Sequence, residues 1–399
     1  MRLYSLIYIK RKIEELIMWP FVYYGKQLAK KRPLEKEYDL FLFFPGYGLG
    51  GGEKVNLDII NCFTDKKIII FFTKKCENVF FDAFNKPFVK IIEISKWTDN
   101  KKKYWDSFIY RGICAEYINS QKPQPIVFNG QCNFAYKLLP HLRKNIKKIE
   151  LIHVSEKKFA WITFPYVEFI DTRVMVSQNV IEQHRKYYDE LGIASSLKDR
   201  MVKVLYMVNL PHSKNPKTHS LDKLKVYYAG RGGYQKRLYL LFKIIDKCFE
   251  NNLPVEFTLA GSFKEEIQAH LFDKVNYLGV LKTAEAMEDL HNTMDVLLMT
   301  SAFEGFPKAM MEAMAFGVVP VAPAVDGIPE NISHDYNGLL ITNPEDEDHL
   351  VEQGYSYLQT LLADKEKLKQ LSDNAFTYAL ENFNFQKFKN AYREIILGE

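Results

Sequence analysis

Residues 300–340 read TSAFEGFPKAMMEAMAFGVVPVAPAVDGIPENISHDYNGLL, and the architecture of the chain follows from this stretch. An apolar run, Val296 to Met299, leads into Thr300 and Ser301, which predicts a buried strand opening into a loop. Loops at the carboxyl ends of strands are where open α/β sheets bind ligands. Pro307 suits the first helical position, where its missing N–H costs nothing, and Lys308 to Phe316 contains good helix formers. Gly317 fits the left-handed residue that closes such a helix, and Val318 to Ala322 reads as the next buried strand. The free N–H groups from Phe306 through Ala309, Pro307 excepted, with the positive end of the helix dipole, would form a site for a phosphate or sugar oxygen. Glu304 stands just ahead of the helix and Glu312 about one and a half turns inside it, so both can touch one extended ligand. Standing alone, each glutamate would read as a helix-dipole partner or a solvated side chain.

They do not stand alone. Glu304, seven residues and then Glu312, inside an EGF-type turn and followed by EAMAFGVVPV, resemble the signature of the retaining GT-B glycosyltransferases of family four. The resemblance implies that Glu304 hydrogen-bonds hydroxyls of a donor hexose. It implies that the backbone of Phe306, Pro307 and Lys308 helps hold sugar and diphosphate, and that Glu312 binds the ribose of a nucleotide. The downstream GIPENISHDYNGLL, with Glu330 and Gly338, continues the same pattern.

A chain of 399 residues suits two domains, each able to bury its own core. Its 54 basic and 49 acidic residues leave a net charge of +5, too small and too dispersed to argue for nucleic acid. Cys62, Cys76, Cys114, Cys132 and Cys248 are odd in number and scattered, with no C-x-x-C spacing. Neither a disulfide framework nor a zinc site is supported, and a reducing cytoplasm is implied. Lys10, Arg11, Lys12, Glu14 and Glu15 interrupt any signal-peptide core, and no apolar run is long enough to span, so the chain is expected not to cross a membrane. Met1 to Arg32 is basic, aromatic and helical in pattern. Two readings stay open for residues 1–35: a segment lying in the plane of an anionic membrane, or a helix packed on its own domain. Lys101, Lys102, Lys103, Tyr104 and Trp105 form a second cationic run with interfacial aromatics.

Along the chain, Tyr38 to Phe44 is an apolar strand that breaks at Pro45 into GYGLGGGEKVNLDII. Gly46, Gly48 and Gly51 satisfy G-x-G-x-x-G, but the next strand, Lys67 to Phe72, ends in Thr73, Lys74 and Lys75, where a ribose-binding acid would be expected for NAD. The dinucleotide reading is therefore set aside. Residues 50–55, GGGEKV, instead resemble the glycine loop of the same transferase family, which implies close approach of Gly51 and Gly52 to donor phosphate and acceptor. Ile91 to Ile94, Ile126 to Phe128, Ile149 to Val154 and Val174 to Val176 predict further buried strands of a parallel, doubly wound sheet. His153 ends one of them; a strand-end histidine is ordinarily structural, while the family often has one facing the donor sugar. Ser177 and Asn209 read as structural landmarks, and Pro211 to Ser220 as a linker.

A second alternating series begins at Lys225 to Ala229 and runs into GRGGYQKR. Arg231 and Lys236 match the family's GR-x-x-x-x-K pattern, and the resemblance implies that both neutralise the departing diphosphate. Phe257 to Gly261 and Tyr277 to Val280 read as the next strands. Asp346 and Asp348 form a D-x-D, but Pro344 and the following acids mark a helix start, so the pair reads as capping rather than as a metal site. Phe383 to Ile396 predicts an amphipathic helix, which in this family crosses back to the first domain.

The fold class expected is α/β, GT-B: two facing Rossmann-like domains with parallel sheets, spanning residues 1–212 and 221–382, an active-site cleft between them, and a returning helix at 383–399. The activity implied is transfer of a hexose-type sugar, with retention, from a nucleotide-diphosphate sugar to a glycan or lipid-linked glycan of a bacterial surface polysaccharide. Catalytic roles are expected for Glu304, Arg231, Lys236 and His153, and donor contacts for Gly51, Gly52, Phe306, Pro307, Lys308 and Glu312. No metal, no cofactor and no nucleic acid are called for, and the place of work is the cytoplasm or the cytoplasmic face of an inner membrane. A sugar-nucleotide epimerase of the same fold and a non-catalytic nucleotide-sugar-binding partner subunit are the alternatives.

Overall fold

The structure is a computed structural model that describes residues 3–48, 51–76, 80–100, 102, 104–153, 162–211 and 222–399. The chain forms two units, Met1–Val204 with Lys389–Glu399, and Leu205–Phe388.

In the first unit, short apolar runs become β1 (Leu40–Phe44), β2 (Ile68–Phe72), β3 (Val89–Glu93), β4 (Ile126–Asn129), β5 (Lys148–Ile152), β6 (Thr172–Met175) and β7 (Met201–Lys203). They pair in the order β3-β2-β1-β4-β5-β6-β7, and every pairing is parallel. Every residue of LFLFF in β1 and IIIFF in β2 is buried, the pattern of strands covered on both faces. The winding reverses between β1 and β4, which opens a crevice at their carboxyl ends. Ser177 caps the helix Gln178–Leu191 by accepting from the Val180 N–H at 3.2 Å, and Gly192 closes it at φ 72°. On β5 and β6, the cross-strand partners Glu150 and Arg173 form a fully buried ion pair of 2.6 Å, completed by the hydroxyls of Tyr136 and Tyr188.

Before β1 runs a helix of 29 residues, Leu3–Lys31. It packs along the helix Tyr104–Asn119 so closely that a Cβ on Gly25 would lie 2.0 Å from the Ile109 carbonyl oxygen, and one on Gly112 2.0 Å from that of Val22. Only glycine permits this approach. Met18, Val22 and Ala29 are buried on the inner face. Arg11 is buried there too, held by Glu168 at 2.6 Å, by Glu15 at 3.2 Å, by the Pro165 carbonyl and by the faces of Tyr8 and Phe169. Of the two sequence readings of this segment, packing on its own unit describes the inner face.

The second unit holds β8 (Leu224–Arg231), β9 (Val255–Ser262), β10 (Val275–Gly279), β11 (Val296–Leu298), β12 (Val319–Pro323) and β13 (Leu339–Ile341). The order is β10-β9-β8-β11-β12-β13, again all parallel, with the reversal between β8 and β11. The unit β11, loop, helix Lys308–Ala315, β12 is the one read from the sequence, and Gly317 closes its helix at φ 67°. Pro307 stands one position earlier than expected, at the cap: its ψ of 131° keeps it outside the helix while its carbonyl accepts from Met310 at 3.0 Å and Met311 at 3.2 Å. Asp346 caps Glu347–Ala363 by accepting from the His349 N–H at 3.0 Å. Strands β7 and β13 were not anticipated; each has three residues, too few to show a pattern. The last helix begins at Phe385, because Phe383 is buried against Phe306 and Tyr378 at 5.7 and 5.6 Å. From Lys389 onward it belongs to the first unit, where Arg393 grips Asp65 at 2.7 and 3.2 Å.

Substituting Gly112→Ala should therefore destabilise the first unit by about 3 kcal/mol through overpacking against a backbone that cannot retreat. Gly51→Ala, whose Cβ would meet nothing within 4 Å, should change stability by less than about 0.5 kcal/mol. Urea denaturation followed by tryptophan fluorescence measures both.

Candidate active site

The reversal between β8 and β11 brings two loops together, 231–237 after β8 and 299–306 after β11. Arg231 ends β8 and is exposed, and its carbonyl accepts from the Tyr228 hydroxyl at 2.7 Å. The loop turns through Gly232 and Gly233 against Glu266, whose carboxylate accepts from the Gly233 N–H at 2.9 Å. A single turn, Tyr234–Lys236, then directs Lys236 at Glu304, and the two form an ion pair. Glu304 is buried and Lys236 half-buried, so this pair is shielded from bulk water and holds a defined geometry.

The next residue, Arg237, fixes that geometry. Its guanidinium donates to three carbonyl oxygens, Thr300 at 2.9 Å, Ser301 at 3.1 Å and Pro344 at 2.8 Å. Its backbone adopts φ 47°, a left-handed value that costs a non-glycine residue roughly 1–2 kcal/mol. The Thr300 hydroxyl returns the contact, 3.0 and 3.1 Å from the carbonyls of Lys236 and Arg237. Gln235 adds a donation to the Phe303 carbonyl at 2.9 Å and an acceptance from the Ala302 N–H at 2.8 Å. On its far side the Glu304 N–H donates to Asp326 at 2.9 Å and its carbonyl accepts from Gly327 at 3.2 Å. Sequence reasoning passed over Arg237 and Gln235; the signal available was two more polar residues flanking a site lysine.

Beyond Glu304, the Phe306 ring is buried in the core, which leaves the backbone and the start of Lys308–Ala315 to offer N–H donors. Glu312 lies half-buried on that helix, near enough to Tyr227 to contribute to the rise of its phenol above the usual range, after burial itself. The Tyr227 hydroxyl pairs with His291 Nδ1 at 2.9 Å, and the His291 ring stacks on Phe316 at 5.3 Å. Arg231, Lys236, Glu304, Phe306, Pro307, Lys308 and Glu312 of the second unit all stand at or beyond the carboxyl ends of the central strands β8 and β11. Among the described residues no cluster of His, Cys, Asp and Glu could hold a metal ion.

In the first unit, the corresponding crevice is a cavity of about 180 Å³ lined by residues that include Gly52, Glu53, Lys74, Gln131 and His153. Gly51 opens the helix Gly51–Asn61, and a Cβ on Gly52 would lie 3.5 Å from His153 Nε2. The His153 N–H donates to Gln131 at 3.2 Å. Burial pushes the His153 imidazole down to about 4, so at neutral pH it is an uncharged ring.

Residues 211–378 match the model of the family described as glycosyl transferases group 1. That match lies within the second unit. Sulfoquinovosyl transferase SQD2 of Arabidopsis thaliana is 33% identical over 36% of this chain and 28% of its own length. An N,N'-diacetylbacillosaminyl-diphospho-undecaprenol alpha-1,3-N-acetylgalactosaminyltransferase of Campylobacter jejuni is 33% identical over 31% of each chain. The match to the uncharacterized glycosyltransferase MJ1607 of Methanocaldococcus jannaschii spans about a third of that relative, 34%. Among solved structures, Anabaena HepE with UDP-glucose superposes at a TM-score of 0.69, with 15% identity, covering 90% of this chain and 99% of that one. The lipopolysaccharide outer core galactosyltransferase WaaB gives 0.67 with 20% identity, covering 89% and 98%. These superpositions establish the GT-B fold.

Two expectations follow. Arg237→Ala should lower the stability of the second unit by about 3 kcal/mol, because charged hydrogen bonds are lost and buried carbonyls are left without donors. Arg237→Gly should be milder by up to ~1 kcal/mol, since glycine tolerates the left-handed backbone; thermal denaturation of both variants reads the difference. Burial also lowers His141 to about 4 and His184 to about 3. Each takes up a proton near 6.5 when unfolded but not when folded. Stability of the first unit is thus full above about pH 6.5 and falls as the pH drops toward 4, on the order of 2 kcal/mol at pH 5 for His184 alone. Denaturation midpoints at pH 7.5 and 5 check the sign.

Proposed function

We propose that this protein transfers a hexose-type sugar, with retention, from a nucleotide-diphosphate sugar to a glycan or lipid-linked glycan, in the assembly of a bacterial surface polysaccharide. The observation that carries this reading is the Lys236–Glu304 ion pair beside Arg231 at the β8–β11 reversal. A lysine ammonium has three donors, and one contact to Glu304 leaves two for phosphate oxygens. The second carboxylate oxygen of Glu304 remains able to accept from sugar hydroxyls. The pair therefore suits the junction between a diphosphate and a hexose.

In the step proposed, the bond from the anomeric carbon to the diphosphate oxygen breaks, and negative charge grows on that oxygen. Arg231, Lys236 and the N–H groups at the start of Lys308–Ala315 stabilise it. The acceptor hydroxyl forms its bond to the anomeric carbon on the face the phosphate leaves, and its proton passes to the departing phosphate oxygen. Glu312 holds the ribose. Gly51 and Gly52 let backbone approach the donor phosphate, and His153, uncharged, offers a ring nitrogen to a sugar hydroxyl. The names of relatives support the substrate class: one is an undecaprenol-linked N-acetylgalactosaminyltransferase of Campylobacter jejuni, and one solved neighbour is a complex with UDP-glucose.

A panel of labelled nucleotide sugars with a membrane lipid extract as acceptor source tests the proposal. Label moving to a new product supports transfer, whereas interconversion of donors without transfer indicates an epimerase, and tight donor binding with neither indicates a partner subunit. Lys236→Ala should slow turnover at saturating donor about a hundredfold, roughly 3 kcal/mol of lost transition-state stabilisation. Glu312→Gln should instead weaken nucleoside diphosphate binding with a smaller effect on saturated turnover, and titration calorimetry with the free diphosphate separates the two variants.

A further inference from the structure

The outer face of the helix Leu3–Lys31, turned away from the glycine-packed inner face, is apolar. Leu6, Ile9, Ile13, Leu16 and Ile17 recur at three- and four-residue steps along it, and all are exposed, Leu16 at 77%. Soluble surfaces scatter such residues singly, and a continuous stripe of them marks a binding surface. Further along the helix, exposed Trp19 stacks on Tyr23 at 5.4 Å. Phe21 stacks on exposed Trp105, at the start of the neighbouring helix Tyr104–Asn119, at 4.7 Å.

Charge identifies the occupant. Among the described residues of this helix, every exposed charged side chain is cationic: Lys10, Lys12, Lys30 and Lys31. Glu14 and Glu15 are half-buried, and Glu15 is engaged by Arg11. Exposed Lys102 lies just before Tyr104 and Trp105, while Lys101 and Lys103 fall outside the described residues. A convex apolar ridge, flanked by cations and by tryptophan and tyrosine, fits an anionic lipid surface, where the rings sit at headgroup depth and the lysines meet phosphate. No helix among the described residues is long and apolar enough to cross a membrane, so the fit is to a helix lying on one.

We infer that the outer face of Leu3–Lys31, with Tyr104 and Trp105, docks this protein in the plane of an anionic bilayer. The lipid-linked acceptor of the proposed function gives the docking its purpose, but the docking can be measured without any turnover. The inner face of the helix is held by close packing and by buried Arg11, so the stripe is presented on a fixed element and does not have to fold on arrival.

The experiment is co-sedimentation of the full chain with phosphatidylcholine vesicles, with and without phosphatidylglycerol, at low and high salt. Brominated lipids serve as quenchers of Trp19 and Trp105. Wild type should bind the anionic vesicles at least tenfold more tightly than the neutral ones, lose binding as salt rises, and show quenching that Trp19→Phe reduces. Leu16→Glu should abolish binding while leaving the circular dichroism spectrum and transfer to a water-soluble acceptor unchanged. Lys30→Glu with Lys31→Glu should weaken anionic binding at least tenfold. Absence of wild-type binding at low salt overturns the proposal, as does full binding by Leu16→Glu. So does a wild-type dimer in light scattering that Leu16→Glu converts to monomer without vesicle binding, which would make the face an interface between copies. None of these results bears on the donor panel, so the docking can fail while the transferase reading stands.

Discussion

One guanidinium holds the candidate site of the second unit together. Carbonyl oxygens that leave the carboxyl end of a parallel strand have no ladder partner and must find donors elsewhere. Here Thr300, Ser301 and Pro344 find them on Arg237, whose planar fork serves several acceptors at once. The left-handed backbone of Arg237 is the strain accepted in return. Lys236, one residue earlier, is thereby aimed at Glu304, and Glu304 is fixed from its other side by Asp326 and Gly327. A side chain that need touch no ligand thus sets where the charges of the site stand.

Both units use the same topological device. A parallel sheet whose strand order reverses leaves a gap between two neighbouring loops, and whatever polar groups those loops carry must face it. In the second unit the gap collects cations, a paired carboxylate and a helix start. In the first it collects a neutral imidazole, glycine backbone, Lys74 and Gln131. The contrast follows from burial: His153 is desolvated with no acid among the causes of its shift, so nothing holds a proton on it. The second unit instead gives its buried carboxylate a lysine.

The helix Leu3–Lys31 is apolar on opposite faces for different physical reasons. Its inner face is small or flat at the contact, with Gly25 against Ile109 and Val22 against Gly112, so two backbones approach closely and the helix is anchored. Its outer face carries branched and aromatic side chains with no cover, which a folded chain retains at a cost in solubility. The anchoring makes that cost meaningful, since a loosely held helix could roll its stripe inward.

Much of the fold was legible because parallel strands buried on both faces must be unbroken apolar runs, and LFLFF, IIIFF and VPVAP are such runs between glycine and proline punctuation. The helix from Lys308, its closure at Gly317 and the cap at Asp346 were legible for the same local reason, since caps and turns are decided within a few residues. Glu304, Glu312, Arg231 and Lys236 stood out only because their motifs resemble those of the transferase family; by themselves they read as dipole partners or solvated side chains. Strands β7 and β13 were too short to show a period, and they exist because a neighbouring strand offers them a ladder. The Lys236–Glu304 pair joins residues 68 apart, and the Arg237 contact to Pro344 joins residues 107 apart, so no local pattern records either. The sequence made both faces of the first helix apolar; only its docking on Tyr104–Asn119, where glycine allows the closest approach, decided which face would be left to the solvent.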